Sequence, residues 1–145
     1  MKIREADDEN SIRALLDCLN VCHDGFIRRI SFIKDREYID EDGSILYPSD
    51  EDGYDIICDI EMELLLNSYI GASPHQFVVL TFEKVMSFRF LQQSTFDYSE
   101  IYKVTFDQAS NGTFDFSFCA TSKKIIMLTL NCSKVICKEY VETAE

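Results

Sequence analysis

Residues 100–120 read EIYKVTFDQASNGTFDFSFCA, and this stretch decides the fold class. Asn111-Gly112 is a dipeptide that favours the tight turn of a β-hairpin, and alternating apolar residues flank it on both sides. We therefore predict two strands, over residues 100–106 and 113–120. One face of the second strand is apolar: Phe114, Phe116, Phe118 and Ala120.

The same two-residue alternation recurs along the chain outside this hairpin. It predicts further strands over residues 26–34, 54–64, 76–82, 85–91, 124–130 and 134–141. In the predicted strand 54–64, Ile56, Cys58 and Ile60 share a face opposite Asp59 and Glu61. One solvent-exposed face is typical of antiparallel sheets. Residues 67–75 contain Gly71 and Pro74, so we predict a loop there.

A single helix is predicted near the N-terminus, over residues 8–22. Asn10 or Ser11 can cap its start, and Gly25 in a left-handed conformation can stop it. Its apolar stripe has helical spacing: Ile12, Leu15, Leu16, Leu19 and Cys22. The expected fold is α+β and mainly β. The N-terminal helix packs on a largely antiparallel, curled or sandwich-like sheet of seven to nine strands. We expect one domain over residues 1–145, with a meander over about 26–141 and an acidic loop or hairpin at 35–55.

Charge and composition exclude several classes of protein. The 145 residues include 14 Lys and Arg against 26 Asp and Glu, a net charge of −12. A chain this acidic lacks the clustered cations that bind nucleic acid or anionic membranes. No long apolar span is present, and the charged start MKIREADDEN is unlike a secretion signal. We expect a cytoplasmic protein that is a monomer or a homodimer.

Six cysteines admit three interpretations: buried thiols, metal ligands or disulfides. The expected cytoplasmic location and the absence of a CxxC pair favour reduced, buried thiols. We accordingly predict no metal and no cofactor.

A candidate polar site is formed by His23, Asp24 and His75. Cys22-His23-Asp24-Gly25 resembles catalytic or metal-binding sequences, but adjacent helical residues point in divergent directions. A structural role is the better interpretation: Asp24 accepts hydrogen bonds at a turn, and His23 caps the end of the helix. His75 lies in the predicted loop, so the fold would have to bring the two histidines together.

The segment 35–55 carries nine acidic residues and one basic residue, Arg36. Two Asp-Glu-Asp-Gly tetrapeptides, at 40–43 and 50–53, predict turns on either side of a short strand at 45–47. Neither copy fits the EF-hand spacing of calcium ligands. A solvated loop, a partner-docking surface and a cation site remain as alternatives. The candidate partner-binding residues are Asp40, Glu41, Asp42, Asp50, Glu51, Asp52 and Asp55.

Three segments in order resemble a family of small bacterial proteins. They are His23-Asp24-Gly25 leading into the strand 26–30, the run VVLTFEKVMSF at 78–88, and TFDFSF at 113–118. The pattern is similar to that of immunity proteins of polymorphic-toxin systems, the immunity protein 50 kind. The resemblance implies a non-catalytic protein-binding module that neutralises a toxin. It carries over no catalytic residue.

Two other functions are compatible with the sequence. One is a small-molecule-binding β-protein, or an unrecognised enzyme, with a pocket between helix and sheet that includes His23, His75 or Tyr102. The other is a subunit that needs a stable partner. For the immunity interpretation, acidic residues at 40–55 would meet a basic toxin domain.

Overall fold

This computed structural model describes residues 2–33, 42, 58–66, 75–91, 100–109, 112–120 and 125–142. In these residues one α-helix, α1 (Glu9–Cys18), is followed by a single 3₁₀ turn at Asn20–Cys22. The strands are β1 (Lys2–Ala6), β2 (Phe26–Ile33), β3 (Cys58–Leu66), β4 (His75–Val85), β5 (Ser87–Phe90), β6 (Ile101–Gln108), β7 (Phe114–Ala120), β8 (Ile125–Cys132) and β9 (Lys134–Glu142).

These strands form two antiparallel sheets, so the expected mainly-β fold with an N-terminal helix is confirmed. The five-stranded sheet has the order β1-β9-β4-β3-β2, and the four-stranded sheet has the order β5-β8-β7-β6. Consecutive strands pair within β2-β3-β4 and within β6-β7-β8, as in a meander. The remaining pairs, β1 with β9, β4 with β9 and β5 with β8, join segments that are distant in sequence.

Two neighbouring chain segments pass from one sheet into the other. Met86 alone separates β4 from β5, and Ser133 alone separates β8 from β9. The Met86 N–H donates to the Asn131 carbonyl (3.1 Å), and the Ser133 N–H donates to the Glu83 carbonyl (2.9 Å). Hydrogen bonding between the segments β4–β5 and β8–β9 therefore continues through the bend at which each segment passes from one sheet into the other.

The inner faces of the sheets meet in one cluster of buried side chains. Phe82 of β4 contacts Phe116 and Phe118 of β7, with ring centroids 5.4 and 6.3 Å apart. Each of these three rings is almost fully buried. The alternation predicted for β3 is confirmed: Ile60, Met62 and Leu64 are buried, and the acidic residues between them are half-exposed.

Helix α1 closes one side of this core through Ile12, Leu15 and Leu16. The predicted cap was wrong: Asp8 is the N-cap, and its carboxylate accepts from the Ser11 backbone N–H (2.7 Å). Ser11 returns a contact through its hydroxyl, which accepts from the Asp8 N–H (3.1 Å). This reciprocal capping box satisfies two N–H groups that lack helical partners. The helix also ends at Cys18 rather than at residue 22, because the backbone reverses its handedness at Asn20.

Three further expectations need correction. Strand β1 was not predicted, since four of its five residues are charged or small, and its pairing with β9 defines it. His75 begins β4, paired with Glu142, instead of lying in a loop. Strand β8 extends to Cys132, two residues past the predicted end at residue 130. The predicted turns and short strand between residues 40 and 53 fall outside the described residues, apart from Asp42.

The aromatic contact between the sheets gives a stability prediction. We expect Phe82→Ala to lower the free energy of unfolding by about 3–5 kcal/mol, because a buried ring is replaced by a cavity. Phe32→Ala makes the same chemical change at a ring that is 61% exposed, and we expect a loss of about 1 kcal/mol or less. Urea unfolding followed by circular dichroism compares the two variants. Equal losses would contradict the packing described for Phe82.

The cap of α1 gives a prediction about pH. Hydrogen bonds from Ser11, chiefly through its backbone N–H, hold the pKa of Asp8 below its usual value of 3.8. A lowered folded-state pKa stabilises the protein above the unfolded-state pKa, and this contribution is lost as the pH falls. We expect the wild type to lose more stability than Asp8→Asn between about pH 5 and pH 2. Ser11→Ala removes the contribution of the hydroxyl and keeps the backbone N–H, so it should reduce the pH dependence by less than Asp8→Asn does. Identical pH profiles for the wild type and Asp8→Asn, in urea titrations, would refute the assignment.

Candidate functional site

The predicted residues His23 and Asp24 lie at the corner where the chain leaves the 3₁₀ turn and enters β2. Two backbone hydrogen bonds fasten this corner to β6: the Asp24 N–H donates to the Ile101 carbonyl (2.9 Å), and the Ile101 N–H donates to the Gly25 carbonyl (2.8 Å). Next to them, Phe26 and Glu100 form an isolated antiparallel bridge. The corner therefore joins an edge strand of one sheet to an edge strand of the other.

Both ring nitrogens of His23 face oxygen atoms. Nδ1 is 2.6 Å from the Tyr102 carbonyl oxygen, and Nε2 is 3.3 Å from Oδ2 of Asp24. The edge of the imidazole also meets the Tyr102 ring, with centroids 5.3 Å apart. These contacts hold the imidazole against β6. The described contacts of the ring are therefore with β6 and Asp24, whereas the expected capping role would place it on the carbonyls of α1.

The backbone of the corner is left-handed at four residues, with φ of 51° at Asn20, 48° at Val21, 58° at Cys22 and 62° at Asp24. Asn and Asp tolerate this conformation, whereas a β-branched residue such as Val21 adopts it at a steric cost. Gly25 was expected to be the left-handed residue, and it is not. A glycine is needed at this position because there is little space for a side chain: a Cβ atom would lie 3.0 Å from the Cys22 carbonyl oxygen and 3.2 Å from the Leu65 carbonyl oxygen.

Cys22 is fully buried and cannot serve as an accessible nucleophile in this conformation. Burial, and secondarily the neighbouring Cys137 thiol, raise the pKa of Cys22 to about 12. Burial also raises the pKa of Cys132 and of Cys137 to about 12. The thiolate is the reactive form of cysteine, so these thiols are protonated and inert at neutral pH. The five cysteines whose side chains are described are free, and Cys18 is the exposed one.

The structure brings together part of the predicted polar site. His23 and Asp24 contact each other, and Tyr102 contacts His23. The backbone of His75 lies at the same end of the five-stranded sheet, where β2 begins, β3 ends and β4 begins. The His75 side chain is outside the described part of the chain. Among the described residues, no group of three His, Cys, Asp or Glu side chains is arranged to hold a metal ion.

Of the predicted acidic surface, Asp42 is described and is exposed. The other six candidate residues, Asp40, Glu41, Asp50, Glu51, Asp52 and Asp55, lie outside the described ranges. Their role in partner binding remains a prediction.

Exposed apolar side chains at the edges of both sheets were missed by the sequence analysis. At the end of β2, Phe32 is 61% exposed and Ile33 is 39% exposed. The Phe32 ring meets the Phe88 ring of β5 edge-on, with centroids 5.2 Å apart. Alternation places Phe32 on the core side with Ile30, but among the described strands β2 lies at the edge of its sheet, so the ring has a described neighbouring strand on one side.

A groove of about 320 Å³ lies at the far end of β5, against β8. The Leu91 N–H donates to the Met127 carbonyl (2.7 Å) and joins the two sides of the groove. The described residues that line it are Arg89, Phe90, Leu91, Ile126, Met127, Leu128 and Thr129. The small-molecule alternative expected a pocket between helix and sheet, whereas this groove lies at a sheet edge away from α1.

The chain matches no protein-family model. Comparisons with curated proteins and with solved structures also give no significant match. The resemblance to immunity proteins therefore stays a prediction. In the described ranges, no helix combines the length and apolar character needed to cross a membrane.

The burial of the thiols predicts which cysteines react. We expect maleimide to label Cys18 in the native protein at mildly alkaline pH, while the thiols of Cys22, Cys132 and Cys137 stay unlabelled. At pH 8, about one in 10,000 thiols with a pKa near 12 is ionised. Tryptic digestion and tandem mass spectrometry measure the labelling. Cys18 and Cys22 share the peptide 14–28, so fragment ions assign the label to one of them. Labelling in urea is the control for reagent access. Rapid native labelling of Cys22 would overturn the conclusion that this thiol is inert.

Proposed function

We propose that the protein is a non-catalytic protein-binding module of the bacterial cytoplasm, an immunity protein that neutralises a toxin domain with a basic surface. The observation that carries the proposal is the exposed pair Phe32 and Ile33 at the end of β2, directly before the most acidic part of the chain. An apolar anchor beside concentrated charge is a common arrangement in specific protein interfaces.

Phe32 has the properties of an interface anchor. Its ring is large, is mostly exposed, and is held on one side by Phe88. Aromatic side chains dominate the binding energy of many interfaces, and a ring that is already oriented loses little conformational entropy on binding. Ile33, on the opposite face of the same strand, is a second exposed apolar side chain at this edge.

The acidic segment supplies the second component. Asp35 follows Ile33 by two residues in the sequence. Nine acidic residues lie between positions 35 and 55, and the whole chain carries a charge of −12. Such a surface attracts a basic toxin domain over long distances and raises its association rate. Asp40, Glu41, Asp42, Asp50, Glu51, Asp52 and Asp55 are the residues that we assign to this contact.

Co-expression tests the proposal directly. The polypeptide encoded by the neighbouring gene is expressed alone and together with this protein, and cell growth is measured. We expect protection by the wild type. Phe32→Ser should weaken binding about 30-fold, the loss typical of an interface hot spot. Reversing the charges of Asp40, Glu41, Asp50 and Glu51 to Lys should slow association and flatten its dependence on salt.

Ile3→Ser is the matched control, because Ile3 is a similarly exposed apolar residue (57%) on β1, an edge strand that lies next to β9. We expect this variant to bind like the wild type. Absence of both binding and protection would refute the proposed function. Wild-type affinity of Phe32→Ser would instead show that the partner binds elsewhere.

A further inference from the structure

The groove between β5 and β8 contains a charged group whose position the protein-binding function does not explain. Arg89 and Thr129 are directly opposite each other in the register of β5 and β8. Their side chains therefore lie on the same face of the sheet, with Cβ atoms about 5 Å apart. Leu91 and Ile126, 43% and 49% exposed, form apolar walls beside them.

Arg89 differs from the other arginines in the described ranges. Three of these ion-pair with carboxylates, and a fourth lies over an aromatic ring. The contacts are Arg4 with Glu139 (3.6 Å), Arg13 with Glu9 (2.7 Å), Arg29 with Glu61 (3.3 Å) and Arg28 over Phe77 (4.8 Å). Arg89 has no such partner among the described residues, although acidic residues outnumber basic ones in the chain by 26 to 14.

A guanidinium group beside apolar walls indicates the chemistry of a ligand. The guanidinium stays charged at all physiological pH values and presents a planar set of donors that fits a carboxylate with two hydrogen bonds. The Thr129 hydroxyl adds a donor on the same face. The apolar side chains favour an alkyl chain attached to that carboxylate. A volume of about 320 Å³ lies at the lower end of the range for small-molecule sites.

We propose that this groove binds a small monocarboxylate with a short alkyl chain, with Arg89 holding the carboxylate and Leu91 and Ile126 contacting the chain. The site is separate from the proposed partner surface and does not depend on the immunity function. The net charge of −12 favours a ligand with a single negative charge, because a phosphate or a polyanion is repelled more strongly by the protein.

Titration with sodium octanoate, followed by two-dimensional NMR of the ¹⁵N-labelled full-length chain at constant ionic strength, tests the proposal. We expect saturable shifts of the amide signals of residues 89–91 and 126–129. Arg89→Gln should weaken binding about fivefold or more, since it removes the charge-assisted hydrogen bonds. Arg13→Gln is the matched control, because it removes an exposed arginine from α1, and it should bind octanoate like the wild type.

Two related compounds separate the contributions of charge and chain. Octanamide keeps the chain without the charge, and acetate keeps the charge without the chain. We expect both to bind more weakly than octanoate. Octanoate binding equally to the wild type and Arg89→Gln, octanamide binding as well as octanoate, or no saturable shift up to about 10 mM would each overturn the proposal. A urea midpoint of Arg89→Gln equal to that of the wild type establishes that the variant is folded.

Discussion

The continuous hydrogen-bonded pairing of the segment β4–β5 with the segment β8–β9 is the constraint on which the rest of the structure depends. Each segment belongs to both sheets, and the change of sheet occurs within one residue, at Met86 and at Ser133. Near this bend, Lys84 has a φ of 55°, and its N–H donates to the Asp59 carboxylate on β3 (2.9 Å). The bend therefore satisfies its hydrogen bonds while it turns both segments over a shared core.

This arrangement determines where side chains are buried and where they are exposed. Phe82 lies just before the bend, and there it reaches Phe116 and Phe118 in the other sheet. At the opposite ends of the sheets, β2 and β6 are joined by the His23 corner and one bridge. The contacts of His23 therefore help to hold β2 and β6 together. The short strand β5 has a described partner on one side, and β2 likewise, and the large exposed apolar side chains include Phe32, Ile33, Phe90 and Leu91 at these edges.

Local pattern was sufficient to predict those elements whose periodicity matches their burial. The stripe Ile12, Leu15 and Leu16 of α1 and the alternation in β3 and β7 are of this kind, because one face of each meets the core. Pairing between distant segments was not predictable. Ala6 is buried because it lies opposite Val135, and nothing in KIREA indicates a strand. The left-handed run at Asn20–Cys22 was also missed, since a valine at positive φ runs against local preference and is stabilised by its surroundings.

The candidate sites show the same difference between what local sequence predicts and what depends on contacts between distant segments. His23 and Asp24 could be singled out from the sequence as polar residues at a turn, but the partner of the His23 ring is a carbonyl on β6 that is 79 residues away. Arg89 carried no signal in the sequence, because its significance comes from the absence of an ion-pair partner among the described residues. Phe32 fitted the core pattern and is exposed because β2 lies at an edge. In each case the residue type is local information, whereas its function depends on which neighbours the fold supplies or withholds.

The alternation of side chains along β5 keeps the two proposed binding surfaces apart. Phe88, which contacts Phe32, points to the inner face of the sheet, and the next residue, Arg89, points to the outer face with Thr129. A partner anchored on Phe32 would therefore approach from one side of the strand, and a carboxylate on Arg89 from the other. The electrostatic field distinguishes them as well. In our proposal the acidic segment that follows Ile33 attracts a basic protein. The guanidinium of Arg89, which has no ion-pair partner among the described residues, is a local site of positive charge in an acidic molecule. Because a strand side chain cannot reach the opposite face, a substitution that alters one surface leaves the contacts of the other in place.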